Sequence, residues 1–192
     1  SGKELATEEV KTQCRWFLRD LGQEGDSSYP YYFDREVAER FGNLLKLMNF
    51  ATGIGVIGQS VYEGLAGFQA FFLANVFCWR YKAEKEMYRY REVVLFIPRK
   101  NSKTFLCALI LIILMLTEDD YSEFYSICLD RDLAAEVKKA ISQIISASPA
   151  LQKHFKVPRT LTGKVECLIT KSFYQPRTSQ ANSNNAICVH CG

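Results

Sequence analysis

The chain has 192 residues, of which 48% are hydrophobic and 23% are charged. This is enough for one packed domain with a helical annex, and it excludes a fibrous or wholly disordered protein. The net charge of +3 is too small to indicate a dedicated nucleic-acid binder. The one membrane-like run, residues 105–116, is shorter than the roughly 20 residues of a membrane span. Seven scattered cysteines favour free thiols in a reducing cytosol.

The N-terminal part of the chain predicts two helices. Apolar positions at helical spacing run from 3 to 21 and stop at Gly22. Asp34 is a good N-cap for a second helix, which extends to about Met48. The apolar stripe of this helix consists of Val37, Phe41, Leu44, Leu45 and Met48.

Residues 51–67 are rich in glycine and predict a flexible connector. Gly53, Gly55 and Gly58 have the spacing of a dinucleotide-binding fingerprint, which requires a strand before it and a helix after it. The preceding residues predict a helix instead, so a nicotinamide or flavin site is the less favoured alternative. An apolar and aromatic stretch at 68–82 then predicts a buried helix.

Strands alternate with helices in the rest of the chain. Short apolar runs predict three strands, at 93–97, 121–129 and 165–170, the last leading into a polar tail. Of the two helices between them, one begins near Lys103 and the other runs from Asp130 or Asp132 to Pro149. This alternation predicts an α/β fold with a parallel sheet built from βαβ units.

The segment 97–104 has the pattern of a phosphate-binding loop, because a predicted strand, a polar turn and a helix follow one another. Backbone N–H groups of such a turn point at phosphate oxygens, and the helix dipole favours negative charge there. Lys103 would contact the β- and γ-phosphates, and the Thr104 hydroxyl would bind Mg²⁺. Ile97 and Ser102 stand where the usual pattern has glycine, and a basic loop without a ligand is the alternative.

The loop sequence PRKNSKT at 98–104 resembles the PRKNGKS/T adenosine-triphosphatase loop of large terminase subunits of tailed phages. Features on both sides occur in the family's order. Upstream, Gln69 follows Phe68, and Trp79 comes ten residues after Gln69; downstream, a strand and a helix lead to the sequence SPAL at 148–151. The likeness extends over roughly residues 33–170.

This resemblance implies a partial P-loop, RecA-like parallel sheet with helices on both faces, preceded by an N-terminal helical segment. Residues 1–66 would form the annex and connector, and 67–192 an ATPase core that is incomplete at its C-terminus. The implied cofactors are ATP and Mg²⁺. The implied nucleotide-binding residues are Gln69, Arg99, Asn101, Ser102, Lys103 and Thr104.

Two of these residues have specific implied roles. Gln69 would read adenine, and Arg99 would meet the γ-phosphate as charge develops in the transition state. The plainer alternatives are a capped or solvated amide for Gln69 and a solvated loop cation for Arg99. Arg99 and Lys103 are the implied catalytic residues.

An apolar strand that ends in an Asp-Glu pair, which ATP hydrolysis requires, is absent from the sequence. Asp130 follows a predicted strand and is a candidate Mg²⁺ ligand, with a helix cap as the alternative. In the family the acidic pair comes later in the chain. We therefore expect a fragment that binds ATP but neither hydrolyses it at a motor's rate nor cuts DNA.

Cys188, His190 and Cys191 would form half of a zinc site, and Cys167 or His154 would be the residues to complete it. A second ligand pair at the usual spacing is lacking, so a frayed terminus is the favoured interpretation.

The resemblance implies a DNA-packaging motor that works in the cytoplasm of the infected bacterium. Its partners would be double-stranded DNA, the small terminase subunit and the portal protein, and the full-length protein would form a ring, with no membrane involved. A non-catalytic prophage remnant that binds nucleotide or a partner is the rival. A third alternative is an α/β domain whose loop resembles a nucleotide site by accident.

Overall fold

The structure is a computed structural model that describes residues 7–128 and 131–178. The chain forms two compact units. The first contains the residues up to Gly42 together with Leu65–Phe96, and the second contains Asn43–Gly64 and the residues from Ile97 onward. Within the described residues, no helix is long and apolar enough to cross a membrane.

The described residues form seven helices and six strands. The helices are α1 (Glu8–Gln23), α2 (Arg35–Lys46), α3 (Val61–Gly64), α4 (Gly67–Cys78), α5 (Lys103–Thr117), α6 (Arg131–Ala147) and α7 (Pro149–Gln152). The strands are β1 (Tyr31–Phe33), β2 (Trp79–Tyr81), β3 (Glu123–Cys128), β4 (Phe155–Lys156), β5 (Val165–Cys167) and β6 (Phe173–Thr178).

The first unit is held together by aromatic side chains. Strands β1 and β2 pair antiparallel, with Phe33 opposite Trp79. Phe17 of α1 makes edge-to-face contacts with both of these rings and with Phe71 of α4. Asp34 caps α2 as predicted, because its Oδ1 accepts the Val37 N–H at 3.0 Å.

A buried carboxylate of α1 forms an ion pair with another part of the first unit. Asp20 is 4% exposed and accepts hydrogen bonds from Arg89 at 2.7 Å and from Arg19 at 2.9 Å. Burial acts to raise the pKa of Asp20, but the hydrogen bonds from Arg89 and Arg19 outweigh it, so the pKa lies below its usual value. Arg89 also donates to the Tyr29 hydroxyl and lies over the Trp79 ring. The ion pair is thus enclosed by aromatic groups.

The second unit contains a four-stranded sheet in the order β3-β6-β5-β4. Strands β3 and β6 are parallel, and the other two pairs are antiparallel. Helices α5 and α6 pack on each other, and both contact β6. Their buried side chains include Leu106, Leu109, Ile112, Ile113, Ile141 and Ile144. An α/β fold whose sheet contains a parallel pair confirms the predicted fold class.

Two strand predictions need correction. Residues 93–97 form no strand, and Val94 and Phe96 are 90% and 97% exposed rather than buried. A run of strand-forming residues becomes a strand only when a neighbouring edge pairs with it, and none in the described part of the chain does so. Conversely, the predicted polar tail contains β6, the strand that joins β3 to β5. Pro176 obscured it, and is tolerated because β6 pairs only with β3 at that position.

Candidate nucleotide-binding site

The site is built around the N-terminus of α5. Ser102 is the N-cap, because its carbonyl accepts the Leu106 N–H at 2.9 Å while its own φ of 57° is left-handed. The first N–H groups of a helix have no partners within the helix and carry the positive end of its dipole. No acidic side chain lies in the first turn of α5 to neutralise this end. The helix therefore begins with a site that favours an anion.

The loop before α5 has an unusual backbone. Lys100 and Ser102 have φ values of 66° and 57°, in the left-handed region that residues other than glycine seldom adopt. Left-handed residues of this kind turn successive N–H groups toward one side and form a concave site for anions. Between them, the Asn101 amide donates to the carbonyls of Pro98 and Arg99, both at 3.3 Å. The Asn101 side chain thus stabilises the turn of the loop.

Lys103 and Thr104 occupy the first turn of α5, and both are exposed. The Lys103 ammonium reaches back across the loop and donates to the Ile97 carbonyl at 2.7 Å. Arg99 is exposed in the turn before it. Arg99, Asn101 and Ser102 therefore lie in the loop, and Lys103 and Thr104 lie in the first turn of α5. Their role in binding a nucleotide stays a prediction. This arrangement, with backbone N–H groups, an ammonium and a hydroxyl and no carboxylate in the first helical turn, fits the phosphates of a magnesium nucleotide.

Gln69 belongs to the first unit and lies in the first turn of α4. It is 6% exposed, and its Oε1 accepts the Ala66 N–H at 3.1 Å. The amide oxygen is thus already used to cap α4, which leaves the amide N–H₂ for other partners. Adenine recognition by Gln69 stays a prediction.

Asp130 lies outside the described residues, as do Cys188, His190 and Cys191. Among the residues that the structure does describe, no group of His, Cys, Asp and Glu side chains has the arrangement of a metal site. Both Asp130 as a Mg²⁺ ligand and the terminal zinc site therefore remain untested.

Sequence reasoning missed one residue that supports the site. Phe50, directly before the glycine-rich connector, is buried and stacks on Phe105 in the first turn of α5, with ring centroids 4.9 Å apart and planes 15° from parallel. Gly64 makes room for it, since a Cβ there would lie 2.5 Å from Phe50 Cε2. Gly64, in the segment predicted to be only a connector, thus packs against the ring that stacks on the helix carrying Lys103.

A comparison with known protein families identifies the family of this chain. The family model for the terminase large subunit, ATPase domain, matches residues 67–186. The chain belongs to this family. The resemblance inferred from the loop sequence is therefore confirmed.

A solved structure supports the same fold. The crystal structure of the HK97 bacteriophage large terminase matches 78% of this chain with a TM-score of 0.59 and 22% sequence identity. The matched part spans 29% of the HK97 chain. A search of curated proteins found no significant match.

Replacing Ser102 by glycine tests whether the loop is shaped for a ligand. We expect Ser102→Gly to bind Mg-ATP about three- to tenfold more tightly, because it removes a Cβ where the backbone must approach the phosphates. The left-handed strain that it relieves, about 1 kcal/mol, is offset by the extra freedom of glycine in the unfolded chain, so the melting temperature should change little. Calorimetric titration measures the affinity. Ser102→Ala keeps the Cβ and is the control; an equal gain in that variant would contradict the explanation.

Proposed function

We propose that this terminase ATPase domain binds Mg-ATP at the loop 98–104. In the full-length motor, ATP hydrolysis would drive double-stranded DNA into proheads. The observation that carries the proposal is the left-handed loop directly before α5, with the ammonium of Lys103 beside an open helix N-terminus. Membership in the family gives this loop its expected ligand, ATP.

Each residue of the loop has a proposed role. Lys103 binds the β- and γ-phosphates, and the Thr104 hydroxyl is a ligand of the Mg²⁺ ion, which neutralises charge on the phosphate oxygens when bound. Arg99 stabilises charge on the γ-phosphate as it leaves. Asn101 and Ser102 shape the loop and present backbone N–H groups. Gln69 would donate its amide N–H₂ to adenine.

The wider role is proposed from the family. DNA, the small terminase subunit and the portal protein would be the partners of the full-length protein, which would act as a ring in the cytoplasm of the infected bacterium. Within this chain, 1–66 would be the annex and 67–192 the nucleotide-binding core. The expectation that turnover also needs an acidic pair, or Asp130 in its place, stays a prediction.

The first test is stabilisation by nucleotide. We expect a non-hydrolysable Mg-ATP analogue to raise the melting temperature, because a ligand at about 100 times its Kd adds roughly 2.7 kcal/mol to the folded state. Differential scanning fluorimetry measures the shift. AMP is the matched control, since it has the same base and sugar but lacks the β- and γ-phosphates.

Two results of this titration would contradict the proposal. One is the absence of any shift at millimolar nucleotide, which would indicate that the loop resembles a nucleotide site by accident. The other is an equal shift with AMP, which would place the recognition away from the loop.

A further inference from the structure

Two features of the sequence have no role in the proposed function, although both lie in the second unit together with the loop 98–104. One is the segment 48–61, which includes most of the glycine-rich connector, and the other is the sequence SPAL at 148–151. Hydrogen bonds and one pair of stacked rings connect both features with the first turn of α5.

The segment 48–61 forms a hairpin that fixes the backbone of Phe50. An antiparallel bridge lies one residue before Phe50. The Phe50 N–H donates to the Gln59 carbonyl at 3.0 Å, and the Phe50 carbonyl accepts the Gly58 N–H at 2.8 Å. Because both backbone groups are bonded within the hairpin, the position of the Phe50 ring follows that of the hairpin.

The hairpin is attached to the end of α6. The Asn49 N–H donates to the Ser148 Oγ at 2.8 Å, and the Asn49 side-chain amide donates to the Ala147 carbonyl at 3.0 Å. The Ser148 hydroxyl in turn donates to the Ile144 carbonyl at 2.6 Å. Ser148 is completely buried, so water does not compete for these bonds and the hairpin is held firmly beside α6.

The Phe50 ring connects this fixed hairpin with the start of α5. Phe105, on which it stacks, directly follows Lys103 and Thr104 in the first turn of the helix. The Leu106 N–H donates the first helical bond, so the N–H groups of the three preceding residues lie at the positive end of the helix dipole. The residue that receives the stack thus belongs to the turn that is proposed to bind phosphate.

We propose that Phe50 is a positioning residue of the nucleotide site, because its ring holds the first turn of α5 in the arrangement that the phosphates of Mg-ATP require. Asn49 and Ser148 hold Phe50 in turn. The left-handed residues Lys100 and Ser102 strain the loop, and such strain persists only where the surrounding structure supports it. The inference rests on the proposed function, in which this loop binds Mg-ATP.

This role does not require Phe50 to touch the nucleotide. The apparent affinity of a ligand is reduced in proportion to the fraction of molecules that have the binding-competent arrangement. A ring that stabilises this arrangement therefore raises the affinity from outside the site.

Replacing Phe50 by leucine tests this role, because leucine keeps an apolar side chain but lacks the flat ring. We expect Phe50→Leu to raise the Kd of a non-hydrolysable Mg-ATP analogue about fivefold, as when about one molecule in five keeps the competent arrangement. Phe155→Leu is the matched control, since Phe155 is similarly buried in β4 of the same unit. Its Kd should change less than about twofold. Calorimetric titration measures both variants.

A double-mutant cycle with Phe105→Leu separates positioning from a general loss of stability. Each single variant removes the same stack, so the double variant should bind about as weakly as Phe50→Leu alone. Two independent fivefold effects would instead multiply to about 25-fold. Hydrogen exchange without nucleotide gives a second readout, because the amides of residues 106–109 should exchange faster in Phe50→Leu than in Phe155→Leu.

The outcomes distinguish this inference from the proposed function. If the unchanged chain binds Mg-ATP and Phe50→Leu binds it as well as Phe155→Leu does, Phe50 has no positioning role and the proposed function stands. If the unchanged chain does not bind Mg-ATP, the proposed function fails and the positioning role fails with it.

A milder variant keeps the test decisive if Phe50→Leu does not fold. Asn49→Ala removes only the side-chain bond to the Ala147 carbonyl, and Asn49 is half-buried. We expect it to raise the Kd about threefold, which corresponds to the loss of one ordinary hydrogen bond from the support of Phe50. An unchanged Kd in Asn49→Ala would overturn the inference.

Discussion

Lys103→Ala is expected to weaken Mg-ATP binding by at least about 100-fold, whereas Arg99→Ala leaves the affinity within about threefold of that of the unchanged chain. Lys103 lies in the first helical turn of α5, with its ammonium within the loop. Its loss removes charge-assisted bonds to the phosphates, of which two together contribute about 3 kcal/mol or more. Arg99 is exposed in the preceding turn and is expected to act mainly on the transition state, so its loss should reduce turnover rather than affinity.

Calorimetric titration with a non-hydrolysable analogue measures both variants. Lys100→Ala is the matched control, because it removes an equal charge from the same loop. Lys103→Arg keeps the charge but changes its geometry, and should bind more weakly than the unchanged chain. Similar losses in the Lys103, Arg99 and Lys100 variants would show that the loop attracts nucleotide only as a basic patch.

Asp20→Ala is expected to lower the free energy of unfolding of the first unit by about 3 kcal/mol. Removing one partner of a buried ion pair leaves the other charge buried without compensation. Arg89, whose side chain is only 16% exposed, would be left in this state. Urea unfolding followed by tryptophan fluorescence measures the change, because buried Trp79 lies within 5.0 Å of the Arg89 guanidinium. Arg19→Ala is the control: its side chain is 61% exposed, so its loss should cost less than about 1 kcal/mol.

The same carboxylate predicts a dependence of stability on pH. Because the folded-state pKa of Asp20 is below the unfolded value, its contribution is present above the unfolded pKa and is lost as the pH falls through the folded pKa. The stability of the unchanged chain should therefore fall toward that of Asp20→Ala below about pH 4. A constant difference between the two proteins from pH 7 to pH 3 would contradict this explanation.

Helices were predictable where an apolar stripe of helical period coincided with a recognisable start. The apolar stripe of α2 follows Asp34, a recognisable N-cap. Lys103 could be placed at the start of α5 because a polar loop precedes it and an apolar run follows it. Short strands with three or fewer residues, such as β1 and β2, have too few positions to show a period. Residues 93–97 have the composition of a strand, but pairing depends on an edge that composition does not reveal.

The positions of the candidate residues in the fold could be predicted, but the shape of their loop could not. Lys103 and Thr104 follow a recognisable loop, so their place at the start of a helix was predictable from sequence. The left-handed backbone at Lys100 and the stacking of Phe50 on Phe105 depend on non-local packing. Gln69 illustrates the remaining gap, because the sequence left open whether its amide caps α4, and the structure shows that its oxygen does so.

The Lys103 ammonium donates to the Ile97 carbonyl, so the proposed binding of a nucleotide phosphate by Lys103 would be an exchange of one acceptor for another. Between ligands, the ammonium already has a partner, and the loop is already closed around it. The gain for an incoming phosphate would be only the difference in hydrogen-bond strength between an anionic oxygen and a neutral carbonyl as the acceptor. Little entropy would be lost on binding, because the Lys103 side chain is already held in the loop. When the nucleotide dissociates, the same carbonyl would be available to accept the ammonium again. A site of this design favours repeated binding and release over very tight retention of its ligand.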